Sequence, residues 1–302
     1  MNILLTGGTG FIGQRLMGHL RSHHQITVLS RTPNKVYQRL GHDIKALSSL
    51  DQLDNLDQFD AVINLAGEPI ADKRWTQAQK ERICQSRWNI TQQLVDKLKA
   101  GVNPPRVLIS GSAVGFYGRQ GDALVDEDSN PNAEFSHHVC AQWERLAQAA
   151  ESEHTRVCRI RLAVVLGAEG GALKKMLPGY RLGLGGPIGT GKQYMSWIHI
   201  EDVVNLILFL LEHEECSGPF NAAAPEPVTN EQFSRTLARV LGKPHFARVP
   251  AWAMKLLLGE MASLLLTGQR VMPVRLQQAG FHFRYPTLDK ALKETLCAPQ
   301  SR

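Results

Sequence analysis

The chain has little cysteine and no paired cysteine motif. Cys84, Cys140, Cys158, Cys216 and Cys297 are scattered through 302 residues, and no two make a Cys-x-x-Cys. That pattern excludes a disulfide frame and a structural zinc site, and it suits reduced thiols in the cytoplasm. Long apolar runs are also missing. Val203 to Leu211 is too short to cross a bilayer, and the stretch from Ala251 to Leu266 is interrupted by Lys255 and Glu260, so no membrane partner is expected. No basic segment precedes the first apolar run, so no secretory leader is expected. Charge of one sign is not concentrated anywhere. The net charge is +6, but lysine and arginine form no long run and no aromatic-interleaved patch, so no nucleic-acid partner is expected. A solvated surface plus an anion pocket accounts for that charge. Internal repeats and low-complexity segments are absent. A hydrophobic content of 43% supports a packed core rather than a disordered chain.

What is present begins at the first residue. Asn2 to Leu5 is a short apolar run, followed by Thr6-Gly7-Gly8-Thr9-Gly10-Phe11-Ile12-Gly13. The spacing Gly7-x-x-Gly10-x-x-Gly13 ends a strand and opens a helix. Gly7 tolerates the positive φ of a tight turn. Gly10 lets backbone amides approach a pyrophosphate, and Gly13 lets the helix lie close on the strand. The anion then rests on unsatisfied amides at the positive end of the helix dipole. Because a strand precedes the triplet and a helical pattern (Phe11, Leu16, Leu20) follows it, a dinucleotide site is expected rather than a plain turn.

A second strand, Ile26 to Leu29, runs into Ser30-Arg31-Thr32. This is where such a fold meets the adenosine ribose. An acidic residue here favours NAD, whereas Arg31 offers a planar cation for a 2′-phosphate, so the expected cofactor is NADP(H). Asp60 to Leu65 is a third strand ending in small residues, Ala66-Gly67, that let a sugar-phosphate pass. Asp43 to Leu47 is a further short strand. A helix is predicted from about Gln77 to Lys99, carrying Arg82 and Arg87, which either reach cofactor phosphates or stay solvated. Another strand, from Arg106 to Ile109, leads to Ser110-Gly111-Ser112, whose serines point toward a nicotinamide edge or cap the next turn. Glu134 to Glu151 reads as a helix and Arg156 to Leu166 as one strand. This alternation predicts right-handed βαβ units, that is, an α/β protein with a Rossmann-type doubly wound parallel sheet.

After Gly167 the composition changes. Glycines crowd 183–191, and Gly186 to Lys192 fits the phosphate-loop pattern. Gln193 stands where that loop needs Ser or Thr, and no strand leads in, so a mobile lip over a pocket is the better reading. Trp197 to Val204 returns to strand then helix, and Phe220-Asn221 ends another strand. Thr229 to Leu241 is a helix capped by Thr229 or Asn230, and Ala251 to Leu266 is apolar, helical and expected to pack on a partner face. The division expected is a nucleotide-binding part, residues 1–167 plus about 197–220, and a smaller C-terminal α/β substrate or lid part, about 168–196 and 221–302.

Three segments carry a resemblance over nearly the full length: Thr6 to Gly13, Asn64-Leu65-Ala66-Gly67 and Trp197-Ile198-His199-Ile200-Glu201-Asp202. They resemble extended short-chain dehydrogenase/reductases of the nucleotide-sugar epimerase type. Ala66 to Ile70, Ser86-Arg87, Leu182 to Gly189 and the tail from Gln269 to Phe281 are similar to its atypical NADP-binding branch, the SDR39U1-like epimerase-family proteins. The resemblance implies a cofactor side made of Gly7, Thr9, Gly10, Phe11, Ile12, Gly13, Ser30, Arg31, Leu65, Ala66, Gly67, Glu68, Arg87, Ser110 and Val165. Arg87 replaces an asparagine of ordinary extended members.

The resemblance also exposes a departure. The superfamily exchanges its proton through Tyr-x-x-x-Lys. Here the residues four after Tyr37, Tyr117, Tyr180, Tyr194 and Tyr285 are Gly41, Gly121, Leu184, Ile198 and Asp289. The tyrosine position falls on Ser136 and the lysine position on Cys140. Ser112, hydrogen-bonding a substrate oxygen, and Tyr117, as an acid without its lysine, are the candidate catalytic substitutes. His137 and His138 beside the empty positions titrate in the right range. His199 reads as structural, and Trp75, Tyr194 and Trp197 as pocket wall or core. Two functions follow: an NADP(H)-dependent oxidoreductase or epimerase acting on a nucleotide sugar or other carbonyl compound through an atypical relay, or a non-enzymatic NADP(H)-dependent regulatory protein. No metal site is expected.

Overall fold

The N-terminal run forms β1 (Asn2–Thr6), and the remaining layers are built around it. A computed structural model describes residues 1–297. In chain order there follow α1 (Phe11–Leu20), β2 (Gln25–Leu29), α2 (Pro33–Leu40), β3 (Lys45–Leu47), β4 (Ala61–Asn64), α3 (Gln77–Lys99), β5 (Val107–Ala113), β6 (Leu124–Val125), α4 (Phe135–Gln148), β7 (Arg156–Leu162) and β8 (Val164–Leu166). Then come α5 (Gly171–Arg181), β9 (Tyr194–Met195), β10 (Trp197–His199), α6 (Ile200–Glu212), β11 (Gly218–Ala222), β12 (Val228–Thr229), α7 (Asn230–Val240), α8 (Ala251–Leu258), α9 (Ser263–Leu266), β13 (Arg270–Val271), α10 (Val274–Gln278) and α11 (Leu288–Cys297).

Seven strands form one sheet in the order β11-β7-β5-β4-β1-β2-β3, every pair parallel. The strands are apolar on both faces because helices cover both. Ile3, Leu5, Ile63 and Ile109 meet Leu16, Leu20, Leu206 and Leu210 of α1 and α6 on one side. Leu4, Val62, Leu108 and Val157 meet Leu94, Leu98 and Ala147 of α3 and α4 on the other. This is the doubly wound arrangement of a buried parallel sheet. The chain lays β2 and β3 to one side of β1, then crosses to β4 on the other. The carboxyl ends of β1 and β4, in register at Thr6 and Asn64, therefore flank the switch point where such sheets bind ligands.

Two expectations need correction. The stretch 156–166 is not one strand: Ala163 donates to Ala222 O at 3.0 Å and Val164 to Ser196 O at 3.1 Å, so the ladder changes partner. β7 stays in the main sheet and β8 pairs with β10. The apolar stretch from Ala251 breaks at Gly259 into α8, a 3-10 turn and α9, and no residue of α8 is buried. Helices α2, α5, α10 and α11 were not anticipated; α5 buries Leu173, Leu177 and Tyr180 despite Pro178 and flanking glycines. A separate C-terminal core joins Leu173, Tyr180, Trp197, Phe233, Tyr285 and Leu292. Among the described residues no helix is long and apolar enough to cross a membrane.

Candidate functional site

The turn after β1 is built by glycine. Gly7 has φ +71°, and a Cβ there would lie 2.6 Å from Leu65 O. A Cβ at Gly13 would lie 2.3 Å from Gly7 O and 2.7 Å from Gly8 Cα, so α1 can approach β1 this closely only without a side chain. Gly10 is the N-cap of α1, no side chain caps it, and the first turn holds no acid. The first-turn amides are thus left for an outside anion. Thr9 is fixed through its carbonyl, which accepts from Gln14 Nε2 and Arg39 Nη1, each at 2.8 Å. Phe11 packs on Gly167, Gly170 and Gly171, where a Cβ would meet its ring at 2.6, 2.5 and 3.2 Å. It anchors the glycine turn to the loop after β8, and Ile12 packs against the sheet core.

At the end of β2, Ser30 donates its amide to Leu47 O at 2.9 Å, which aims the following residue outward. Arg31 is exposed, and among the described residues no carboxylate pairs with it. At the end of β4, Thr6 Oγ1 donates to Asn64 Oδ1 at 2.7 Å and accepts from Ala66 N at 3.1 Å. Asn64 Nδ2 donates to Thr91 Oγ1 at 2.9 Å. This buried polar stitch holds the two lips of the switch point together, and the sequence reading missed it. Glu68 donates its amide to Ser86 Oγ at 2.9 Å.

Arg87 reaches the same cleft from α3. Its Nη1 donates to Ile83 O at 2.9 Å and its Cζ lies 5.3 Å from the Trp143 ring centroid. A Cβ at Gly67 would sit 3.0 Å from that Cζ, so this glycine makes room for the guanidinium. Burial lowers the Arg87 pKa from its ordinary value, yet no carboxylate among the described residues pairs with it. A half-buried guanidinium with Glu68 nearby but no carboxylate in ion-pair contact, beside a glycine-lined cleft, favours an anionic or polyhydroxyl occupant. Leu65 and Val165 pack on the sheet core beneath the cleft.

The expected proton donors are placed differently. Tyr117 is 0% exposed. Its hydroxyl donates to Asn221 Oδ1 at 2.6 Å and accepts from Arg161 Nη1 at 2.8 Å. Burial pushes its pKa up to about 12, against the pull of Arg161. Tyr117 is therefore corrected from candidate acid to interior strut. Ser112, 2% exposed, donates to Glu144 Oε1 at 2.7 Å and is corrected likewise. Glu144 is held by both Nε and Nη2 of Arg161 at 2.9 Å. Ser110 is buried with its hydroxyl on Gly111 O at 3.3 Å, so its side chain is not offered to the cleft, a third correction. The Arg161–Glu144 pair, with Glu127 and Asn221, is an interior network that sequence spacing concealed.

At the two vacant positions, Ser136 and Cys140 are both buried on α4, facing Gly115, where a Cβ would lie 3.0 Å from Ser136 Cβ and 3.9 Å from Cys140 Sγ. Burial above all, with Glu144 adding, pushes the Cys140 thiol up to about 12, so it carries no charge at neutral pH. His137 Nδ1 lies 2.5 Å from Phe116 O and His138 sits edge-on to Trp88. His199 caps α6, accepting from Glu201 N at 3.2 Å, as the structural reading expected. Trp197 is core, while Trp75 stacks edge-on to Phe135. No metal-ligating cluster is found among the described residues.

A parallel sheet with a glycine-lined switch point and an uncapped helix above it defines a dinucleotide-binding architecture. The chain belongs to the NAD dependent epimerase/dehydratase family, whose model matches residues 3–223; a domain of unknown function, DUF1731, matches 249–295. Within that family it is an SDR39U1-like epimerase-family protein. It is 40% identical over 300 residues to the chloroplastic SDR39U1 homolog of Arabidopsis thaliana, covering 97% of this chain and 86% of that one. It is 40% identical to the epimerase family protein YfhF of Bacillus subtilis, covering 98% of each. The crystal structure of human epimerase family protein SDR39U1 (isoform 2) with NADPH superposes with a TM-score of 0.90 at 35% identity, covering 99% of this chain and 100% of that one.

Proposed function

We propose that this chain binds NADP(H) across the β1–β4 switch point and is an epimerase- or oxidoreductase-like protein that lacks the usual Tyr-x-x-x-Lys pair. The observation that carries the reading is the start of α1. Its amides are uncapped, its first turn is free of acid, and Gly7 and Gly13 occupy positions where a Cβ would meet backbone. Those residues fit a pyrophosphate. Arg31, exposed and unpaired among the described residues, supports a 2′-phosphate and hence NADP(H) over NAD(H). The NADPH in the human relative's crystal supports the same choice. Arg87 and the Leu65–Glu68 turn line the middle of the cleft. The division into a nucleotide-binding part and a smaller C-terminal part is proposed with it, the latter facing the substrate, a nucleotide sugar or other carbonyl compound.

When bound, NADPH supplies hydride from its nicotinamide. The chain's own residues bind and orient; a tyrosine acid is not among them. Ser136, at the tyrosine position, is buried on α4 and makes no side-chain hydrogen bond to another described residue, which leaves its hydroxyl a candidate partner for a ligand oxygen. A specific observation also favours a second reading, a non-enzymatic NADP(H)-dependent regulator: Tyr117, Ser112 and Cys140 are all buried. One experiment separates them. NADPH fluorescence is followed in the presence of a panel of aldehydes, ketones and nucleotide sugars. Enzyme-dependent decay supports the first reading and excludes the second; binding without decay across the panel does the reverse.

A further inference from the structure

An open groove of about 550 Å³ lies between the glycine lip and the α8–α9 segment, with Arg119 at its edge. That volume is in the range of small-ligand sites. The lip is pinned rather than loose. Gly189 donates to Val249 O at 2.8 Å, Arg248 Nη1 reaches Gly189 O and Thr190 O at 2.8 Å, and Gln193 Nε2 reaches Leu265 O at 2.9 Å. Two contacts tie the groove wall to the start of α4. Arg119 Nε lies 3.2 Å from Glu134 Oε1. Glu260 pairs with Lys80, whose Nζ lies 5.1 Å from the Phe135 ring centroid. Ser136, at the vacant tyrosine position, is the next residue.

The lining decides what fits. Ala251, Ala262 and Leu266 give an apolar wall, and no aromatic ring lines the groove. Its charged groups are Arg119, Lys255 and Glu260. Arg119 and Glu260 are each neutralised by the pairs just described. Lys255 has no carboxylate partner among the described residues. One uncompensated cation over an apolar wall matches one negative charge on an apolar body. A nucleotide sugar brings two phosphate charges and a base that seeks a stacking surface, and neither need is met here.

We infer that this groove takes a small molecule with an apolar body and a single anionic head of the carboxylate class, Lys255 pairing with the head, rather than a nucleotide sugar. The inference rests on the NADP(H)-binding reading for its relation to chemistry, and on the groove alone for its ligand. Octanoate, octanamide and UDP-glucose are titrated calorimetrically into the full chain, with and without NADPH. Octanoate is expected to bind about tenfold or more tighter than octanamide, the scale of one partly screened charge contact. Lys255→Gln is expected to bring octanoate to the level of octanamide while NADPH affinity stays within about twofold, Lys255 being exposed on α8 and outside the glycine cleft. Equal affinity for octanoate and octanamide, octanoate binding indifferent to Lys255→Gln, or UDP-glucose displacing octanoate would each overturn the inference. A flat NADPH isotherm would strike the cofactor reading instead and leave the octanoate comparison standing.

Discussion

Tyr117→Phe separates an interior strut from a proton donor. The substitution keeps the ring, 5.5 Å from that of Phe116, and removes the hydroxyl. Asn221 Oδ1, fully buried, loses its donor, and Arg161 Nη1 keeps only Glu127 O at 3.0 Å. An unsatisfied buried acceptor costs about 1–3 kcal/mol, and a lost hydrogen bond to a charged group is of similar size, so the sum is about 2–6 kcal/mol. For a chain of this length that corresponds to a fall in Tm of about 3–10 °C. Thermal unfolding followed by circular dichroism reads it. An alkaline absorbance titration adds a second check: the difference between wild type and variant should show no tyrosine ionising near the ordinary value of about 10. An unchanged Tm together with lost hydride transfer would refute the reasoning and return Tyr117 to the chemistry.

Arg31→Glu should weaken NADPH by about 10–100-fold and leave NADH nearly unchanged, since a surface charge contact is worth about 1–4 kcal/mol between solvent-like and protein-like screening; parallel titrations of the two nucleotides check it. Two alanines in α1 should act oppositely: Gly13→Ala drives a Cβ into backbone at 2.3 Å and should lower both Tm and NADPH affinity, while Gly18→Ala meets nothing within 4 Å and should stabilise by about 0.5–1 kcal/mol. His199 is buried and its pKa is lowered to about 4, by burial chiefly, with Arg15 and Arg284 adding and Glu201 opposing. Because the unfolded chain takes up this proton near pH 6.5 and the folded one only near pH 4, stability falls as pH drops through that window, by up to about 3 kcal/mol. His199→Asn, which keeps a capping oxygen, should flatten the Tm profile between pH 7 and pH 4.

The parts legible in the sequence are those where backbone geometry restricts residue type. Gly7 and Gly13 are dictated by contacts that no other residue survives, so strand, turn and helix were readable from spacing. The helix Gln77–Lys99 was readable because its apolar residues repeat at helical period over many turns. What stayed hidden depends on partners far apart in sequence. Every residue from 156 to 166 suits a strand, and only the competing ladder from Ala222 and Ser196 reveals the break at Ala163. Arg161 and Glu144 are an unremarkable pair of charges until β7 and α4 bring them together. Tyr117 read as a candidate acid; its burial comes from Val125, Ala163, Ala223 and Val271, none of them neighbours in the chain. Helix α5 was masked by its glycines and Pro178, whose propensities the packing of Leu173, Leu177 and Tyr180 overrides.

The central claim is that main-chain amides at the start of α1 and the guanidinium of Arg31 together hold a phosphorylated pyridine dinucleotide. Calorimetric titration of the purified wild-type chain with NADPH, and separately with NADH, tests it most directly. The account predicts saturable NADPH binding at one site per chain, tighter than NADH by about tenfold or more. A flat NADPH titration, or equal affinity for the two nucleotides, would contradict it.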